Sequence, residues 1–160
     1  MENISFTINN QAFSIRVPDG FEPMTAEELE KLYRDENPDR WGVWNRERHV
    51  MLTVLWKRYP VLVGALADVK AIARRNQQLT EKGYAGHDFR PGGFFSMQAD
   101  GLPLEGYRFS YRIGDVVQNA ETVLMKKQKT IYNITCTGRE ENADENAETF
   151  REIIGSLRAG

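Results

Sequence analysis

Residues 107–137, YRFSYRIGDVVQNAETVLMKKQKTIYNITCT, predict three consecutive antiparallel strands. The first seven residues alternate strictly between large apolar and polar side chains. This alternation is typical of a strand with one buried face and one solvated face. Gly114-Asp115 and the polar run 126–129 supply the two turns, and β-branched and aromatic residues fill the last segment. We therefore expect a three-stranded meander on which the rest of the chain packs.

Shorter alternating segments predict further strands at residues 4–8, 13–17, 41–45, 49–57, 84–89 and 94–99. Residues 49–57 are apolar on both faces, which predicts a central strand with helices above and below the sheet. The sequence Arg90-Pro91-Gly92-Gly93 has the composition of a turn and is expected to join the last two strands.

Three segments carry apolar residues at three- and four-residue spacing, which predicts amphipathic helices. The first begins at a capping box formed by Thr25 and Glu28. The second spans about residues 61–82 and ends at Gly83. The third follows an acidic linker, with Asn142 as its N-cap. Together these elements predict an α+β fold in a single domain, residues 1–160. We expect an α/β/α sandwich whose mainly antiparallel sheet of about six to eight strands carries three packed helices.

Composition restricts the classes of function. The formal net charge is -2 and the basic clusters are short, so no broad positive field favours nucleic acid. The single cysteine, Cys136, is expected to be a small buried hydrophobe within a strand. No apolar run approaches the roughly 20 residues that cross a bilayer, and the first residues lack the features of a signal peptide. We expect a cytoplasmic protein with no membrane insertion.

No motif predicts catalytic, cofactor-binding or metal-binding residues. The two histidines, His49 and His87, lack the spacing and the cysteine partners of a zinc site. Residues 90–94 lack the Lys-Ser/Thr and the following helix of a phosphate-binding loop. The carboxylates cluster at helix starts, where they favour the helix dipole and usually face water. We therefore expect no catalytic residue, no cofactor and no metal.

Six residues are candidates for a partner surface: Trp41, Trp44, Phe94, Phe95, Arg108 and Arg112. The four aromatic residues either belong to the core or form an exposed patch of the kind that marks a partner site. The two arginines lie on the solvated face of the meander, which either receives an acidic partner or carries ordinary cross-strand pairs. The residues expected opposite this face are Gln118, Ala120 and Thr122, or their neighbours if the register shifts by one.

Two passages resemble the PsbP-like α/β sandwich superfamily. The stretch 13–21, FSIRVPDGF, is similar to the opening strand of that superfamily, followed by Pro and an aromatic residue. The stretches 130–137 and 150–157 look like its last strand and its closing helix. The resemblance implies a binding protein. Superfamily members serve the oxygen-evolving complex, bind the Ran GTPase, occur as DcrB-like lipoproteins or act as cytosolic bacterial chaperones for secreted effectors. The resemblance points to the DcrB-like or bacterial effector-chaperone-like branch, although the absence of a lipoprotein signal argues against the lipoprotein members. No functional residue carries over.

Two hypotheses follow. The first is a non-enzymatic protein-binding or chaperone-like module, with another protein or a second copy of the chain as its partner. The second is a small-molecule binder or an enzyme with a dispersed site. That site would combine Trp41 and Trp44 with residues 87–95, and a deep pocket including His87, Arg90 or Asp100 would support it.

Overall fold

The computed structural model describes residues 3–58 and 68–159. The strands are β1 (Asn3–Ile8), β2 (Phe13–Pro18), β3 (Glu22–Pro23), β4 (Arg40–Asn45), β5 (Val50–Arg58), β6 (Arg90–Ala99), β7 (Leu102–Ile113), β8 (Val116–Lys127) and β9 (Thr130–Arg139). The helices are α1 (Ala26–Tyr33), α2 (Val69–Gly83) and α3 (Ala143–Gly155), and a 3-10 turn (Glu140–Asn142) precedes α3.

The strands form a seven-stranded antiparallel sheet and a separate hairpin. The order in the large sheet is β3-β4-β5-β9-β8-β7-β6, and β1 pairs only with β2. Strands β7, β8 and β9 form the predicted meander, and β5 lies in the interior of the sheet beside β9. The predicted α+β sandwich with three helices and a mainly antiparallel sheet is confirmed.

The two faces of the large sheet carry different packing partners. On one face, α3 and the β1–β2 hairpin cover β5, β9 and part of β8, with Phe13, Leu52 and Ile134 in the shared core. On the other face, α2 packs on β7 and β8 over an aromatic cluster that includes Tyr107 and Phe109. Because side chains alternate along a strand, both faces of β7 contribute to a core.

Helix boundaries agree with the capping signals where the structure describes them. Thr25 and Glu28 form the predicted capping box at α1, which ends when Arg34 adopts a left-handed conformation at φ 58°. Asp68 caps α2 by accepting a hydrogen bond from the Lys70 amide, and the helix ends at Gly83 as predicted. Residues 61–67 of the predicted helix lie outside the described residues, and Asp68 is extended, so the described helix begins at Val69. Asn142 occupies the N-cap of α3, but its side chain makes no capping hydrogen bond.

The predictions for residues 84–93 are wrong. The chain turns through residues 84–88 instead of forming a strand, and the ring of Tyr84 stacks on Tyr111 at 4.0 Å between ring centroids. Residues 90–93 belong to β6, and the register shifts between Pro91 and Gly93. A β-bulge accommodates proline and glycine inside an edge strand, so the composition typical of a turn was misleading.

The register of the meander differs by one from the first expectation. Residues Ile113 and Val116 pair across the two-residue turn, which places Glu121 opposite Arg108 and Asn119 opposite Ser110. Turn length fixes hairpin register, and a shift by one residue exchanges the faces of every side chain. Arg108 and Ser110 therefore meet polar residues of β8, while Arg112 lies opposite Val117.

Gly106 in β7 is expected to tolerate no side chain. A Cβ atom there would lie 2.5 Å from Cζ of Phe95 and 2.6 Å from the carbonyl oxygen of Thr122. We expect Gly106→Ala to lower the free energy of unfolding by about 1 to 3 kcal/mol, because the backbone oxygen cannot move aside easily. Urea denaturation measures the change.

Gly83→Ala is the matched control, because a Cβ atom at Gly83 meets no atom within 4 Å. Alanine at the end of a helix should leave stability unchanged or raise it by up to about 1 kcal/mol. Equal destabilisation by both substitutions would contradict the steric argument.

Candidate binding cleft

A cleft of about 400 Å³ opens between α3 and the outer strands of the large sheet. Residues of α3 form one wall, β7, β8 and β9 form the floor, and β6 borders the open side. Its lining includes Arg90, Pro91, Gly92, Arg108, Ser110, Asn119, Glu121, Cys136, Ala143, Asp144, Ala147, Phe150 and Arg151.

Small residues create this space. Ala143 and Ala147 lie one turn apart on α3 and line the cleft. Across the cleft, Gly92 brings the backbone of β6 against Arg108, since a Cβ atom at Gly92 would lie 3.0 Å from Cβ of Arg108. Larger side chains at these positions would fill the opening.

Arg108 is the polar centre of the floor. Its Nε donates a hydrogen bond to Oε1 of Glu121 at 2.6 Å, and its guanidinium lies 4.3 Å from the ring centroid of Phe95. The Phe95 ring in turn covers Gly106 on the neighbouring strand. These contacts hold a cation in a fixed orientation at the bottom of the cleft.

The cleft continues along α3 as a longer groove. A second depression of about 230 Å³ shares Arg108, Glu121, Phe150 and Arg151 with the first. The apolar residues Phe95, Met97 and Ile154 line only this second depression. The groove therefore combines an apolar end with an end that carries arginine and carboxylate groups.

Cys136 lies on the cleft floor and is 5% exposed, which agrees with the expected buried position. Burial raises the pKa of the Cys136 thiol to about 12, and the nearby carboxylate of Glu121 contributes in the same direction. The guanidinium of Arg48 opposes this shift. At neutral pH the thiol is protonated, so it is a poor nucleophile.

A polar contact fixes the start of α3 to the sheet. Arg48 donates to Oδ1 of Asn146 at 3.2 Å and pairs with Glu145 at 3.3 Å. Asn146 packs against Gly138, where a Cβ atom would lie 2.2 Å from its Nδ2. Nδ2 is buried without a hydrogen-bond partner among the described residues, so the close packing at Gly138 loses the hydrogen bond that this amide would make to water.

The structure separates the six predicted surface residues. Only Phe95 and Arg108 meet in the cleft, while Arg112 lies near the exposed end of the same strand as Arg108. Phe94 is on the opposite face of β6, 49% exposed and 5.9 Å from the Arg74 guanidinium.

The two tryptophans lie on β4, which four strands separate from β6. Trp41 packs on Phe6 at 5.2 Å, and Arg46 covers Trp44 at 4.4 Å. Residues 87–95 and the tryptophans therefore do not form one site. Of the residues expected in a small-molecule pocket, Arg90 does line the α3 cleft.

The α3 wall was missed by the sequence analysis. Ala143, Ala147 and Arg151 recur at four-residue spacing, so the small residues could have indicated an open helix face. Among the residues that the structure describes, no group of three or more His, Cys, Asp and Glu side chains is placed to hold a metal ion. Within the same residues, no helix is long and apolar enough to cross a membrane.

Neither a family model nor a curated protein matches the sequence. Solved structures do match it. Cyanobacterial PsbP (CyanoP) from Synechocystis aligns with a TM-score of 0.73 and 12% identity, over 98% of this chain and 91% of that chain. The Saccharomyces cerevisiae Ran-binding protein Mog1p aligns with a TM-score of 0.64 and 12% identity, over 99% of this chain and 96% of that chain.

LpqN of Mycobacterium tuberculosis, a protein involved in cell envelope biogenesis, aligns with a TM-score of 0.53 and 10% identity. This alignment covers 98% of our chain and 89% of LpqN. The chain therefore has the PsbP-like fold, which confirms the resemblance seen in the sequence. At these identities the likeness concerns the fold alone.

Arg108 and Glu121 are expected to be energetically coupled, because the Glu121 side chain is only 14% exposed. Arg108→Met keeps the contact with Phe95 but leaves the carboxylate without its partner. We expect it to lower the free energy of unfolding by about 1 to 3 kcal/mol. Adding Glu121→Gln should recover part of the loss, as a double-mutant cycle by urea denaturation would show. Strictly additive effects would contradict the coupling.

Cys136 is expected to make stability fall at high pH. The thiol has an ordinary pKa of 9.0 in the unfolded chain and about 12 in the folded protein. Between these values the unfolded state loses the proton first, so the free energy of unfolding decreases as pH rises. At pH 10 the thiol is expected to lower the free energy of unfolding by about 1.4 kcal/mol relative to neutral pH.

The measurement is urea denaturation of the wild type and Cys136→Ala at pH 7.5 and pH 10. Tyrosine titration affects both proteins equally, so any extra loss of stability in the wild type comes from the Cys136 thiol. We expect the wild type to lose more stability between the two pH values than the variant. Equal losses would show that the buried thiol does not contribute.

Proposed function

We propose that this chain, which has the PsbP-like fold, is a non-enzymatic module that binds an extended segment of another protein along the α3 cleft. The observation that carries the proposal is the position of the groove along the outermost strand of the sheet, where residues 90–92 border the larger cleft and residues 95–97 border the smaller depression that continues it. A chain lying there can both pair with β6 and direct alternate side chains into the cleft.

The edge of β6 is suited to strand addition. The strand is last in the sheet order, and its residues 94–99, FFSMQA, carry no charge. Exposed edges are commonly protected by lysine, proline or a bulge, and here Pro91 and the bulge protect only the beginning. Among the described residues no strand pairs with the outer side of residues 94–99, and an edge of this kind offers the backbone pairing found in β-augmentation.

The cleft adds side-chain selectivity to this pairing. Ala147, Phe95 and Met97 are half-buried and offer an apolar surface along the groove, while Arg151 has no ion-pair partner among the described residues. An inserted apolar side chain with a neighbouring carboxylate would satisfy both features. The preferred segment is therefore extended, apolar and weakly acidic.

The comparisons support a protein partner in a general way. One neighbour in fold, Mog1p, is a Ran-binding protein. The same cleft accommodates a chaperone-like role, in which an apolar segment of the partner is held until it is needed. A cytoplasmic setting and the absence of nucleic-acid binding stay predictions.

Ala147→Trp tests the proposed cleft. The large side chain should occupy the α3 wall and weaken binding of the segment at least tenfold. The measurement is fluorescence anisotropy with labelled peptides that have been selected on the wild type from a displayed library of random twelve-residue sequences.

Glu148→Trp is the matched control, since residue 148 is the next position on α3 and faces solvent. It should change peptide affinity less than twofold. Failure to select any saturable peptide, or equal binding to both variants, would contradict the proposal.

A second copy of the chain is the competing occupant of the β6 edge. Sedimentation velocity over a range of concentrations measures its self-association. If copies pair through β6, peptide affinity should fall as the dimer forms. A dimer that binds peptide with the affinity of the monomer would show that dimerisation and peptide binding use different surfaces.

A further inference from the structure

A second cleft lies at the other end of the meander, away from the proposed peptide site. Its volume is about 600 Å³, and it forms where the β1–β2 turn lies beside the last residues of β5 and β8. Its lining includes the cations Arg58, Lys127 and Lys129 together with polar groups of Asn9, Asn10 and Thr130. No carboxylate lines it among the described residues.

The sheet register brings the cations to one face. Arg58 pairs with Thr130, and Thr130 pairs with Lys127 on the next strand. Strands lie about 4.8 Å apart, so the Cα atoms of Arg58 and Lys127 are separated by about 10 Å. Lys129 follows in the β8–β9 turn. This spacing exceeds one phosphate group and suits a short chain of them.

The cleft is held in shape by hydrogen bonds across the two sheets. Nζ of Lys127 donates to the carbonyl oxygen of Ala12, and Nδ2 of Asn9 donates to the Tyr132 hydroxyl at 2.8 Å. Asn9, Asn10 and Gln11 all adopt left-handed conformations, at φ 51°, 53° and 66°. Such a run is unfavourable for L-residues, so the surrounding contacts must maintain it.

Among the described residues, no carboxylate of the cleft lining neutralises its cations. Arg58 and Lys129 have no ion-pair partner among the described residues, although the chain carries a net charge of -2. The sequence that follows Arg58, residues 59–67, contains no Asp or Glu. Grouped cations in a concave site raise the local concentration of anions and orient them by charge-assisted hydrogen bonds.

We propose that this cleft binds a small-molecule oligophosphate. Two or three linked phosphates match the spread of the cations, and amide and hydroxyl donors of Asn10 and Thr130 can bond the remaining oxygens. The site is independent of the peptide cleft, so either can exist without the other.

The experiment is calorimetric titration of the full chain with inorganic tripolyphosphate at 150 mM NaCl. The wild type should bind one equivalent saturably, and Arg58→Gln with Lys129→Gln should weaken binding at least tenfold. Arg75→Gln with Lys82→Gln removes the same charge from exposed positions of α2 and should change affinity less than twofold. Circular dichroism and thermal melting establish that each variant is folded.

Equal weakening by both pairs would reveal only non-specific attraction to a polyanion and would overturn the proposal. The absence of saturable binding to tripolyphosphate below 1 mM would overturn it as well, on the affinity scale expected of a weak specific ligand. A parallel titration with a nucleoside triphosphate distinguishes the sources of the phosphates. Equal affinity means that the cleft binds phosphates alone, and tighter binding means that it also contacts the organic part.

Discussion

The two-residue turn at Gly114-Asp115 determines which side chains of β7 meet which face of the sheet. Because Ile113 pairs with Val116 across it, Tyr107 and Phe109 point toward α2 while Arg108 points toward α3. A slip of one residue would bury the arginines and expose the aromatic rings. The aromatic core and the polar cleft floor thus depend on one hairpin register.

The cleft exists because the elements packed on one face of the sheet are narrower than the sheet itself. The β1–β2 hairpin and α3 pack over the middle of a seven-stranded sheet and cover β6 only in part, since Ala99 is buried in their core while Phe95 and Met97 are half-buried against it. Glycine and alanine at the margin leave the remaining surface concave instead of filled. The cleft is therefore a consequence of incomplete coverage of the sheet.

The fold could be predicted largely from sequence because its signals are local. Alternation along 107–137 reports strands, and the Thr25–Glu28 capping box reports a helix start. The prediction for residues 84–93 failed because Pro-Gly-Gly on its own indicates a turn, whereas here it forms a bulge that depends on pairing with β7. Local composition does not report such tertiary pairing.

The candidate site was harder to predict for the same reason. Aromatic content singled out Trp41, Trp44, Phe94 and Phe95, but their positions on opposite ends and faces depend on strand order. Phe95 and Arg108 were selected for separate reasons, and their contact follows from the pairing of β6 with β7. Ala147 was assigned to the apolar face of the third helix and not to a site, since a cleft wall is defined by the absence of a large side chain.

The unprotected edge at residues 94–99 also bears on the fate of the protein when it is alone. An uncharged strand with two adjacent phenylalanines is a template for cross-β association between chains. A partner segment seated there would act as a cap against such growth. On the proposed function, the supply of the partner would set the amount of uncapped chain, and with it the tendency to form such assemblies.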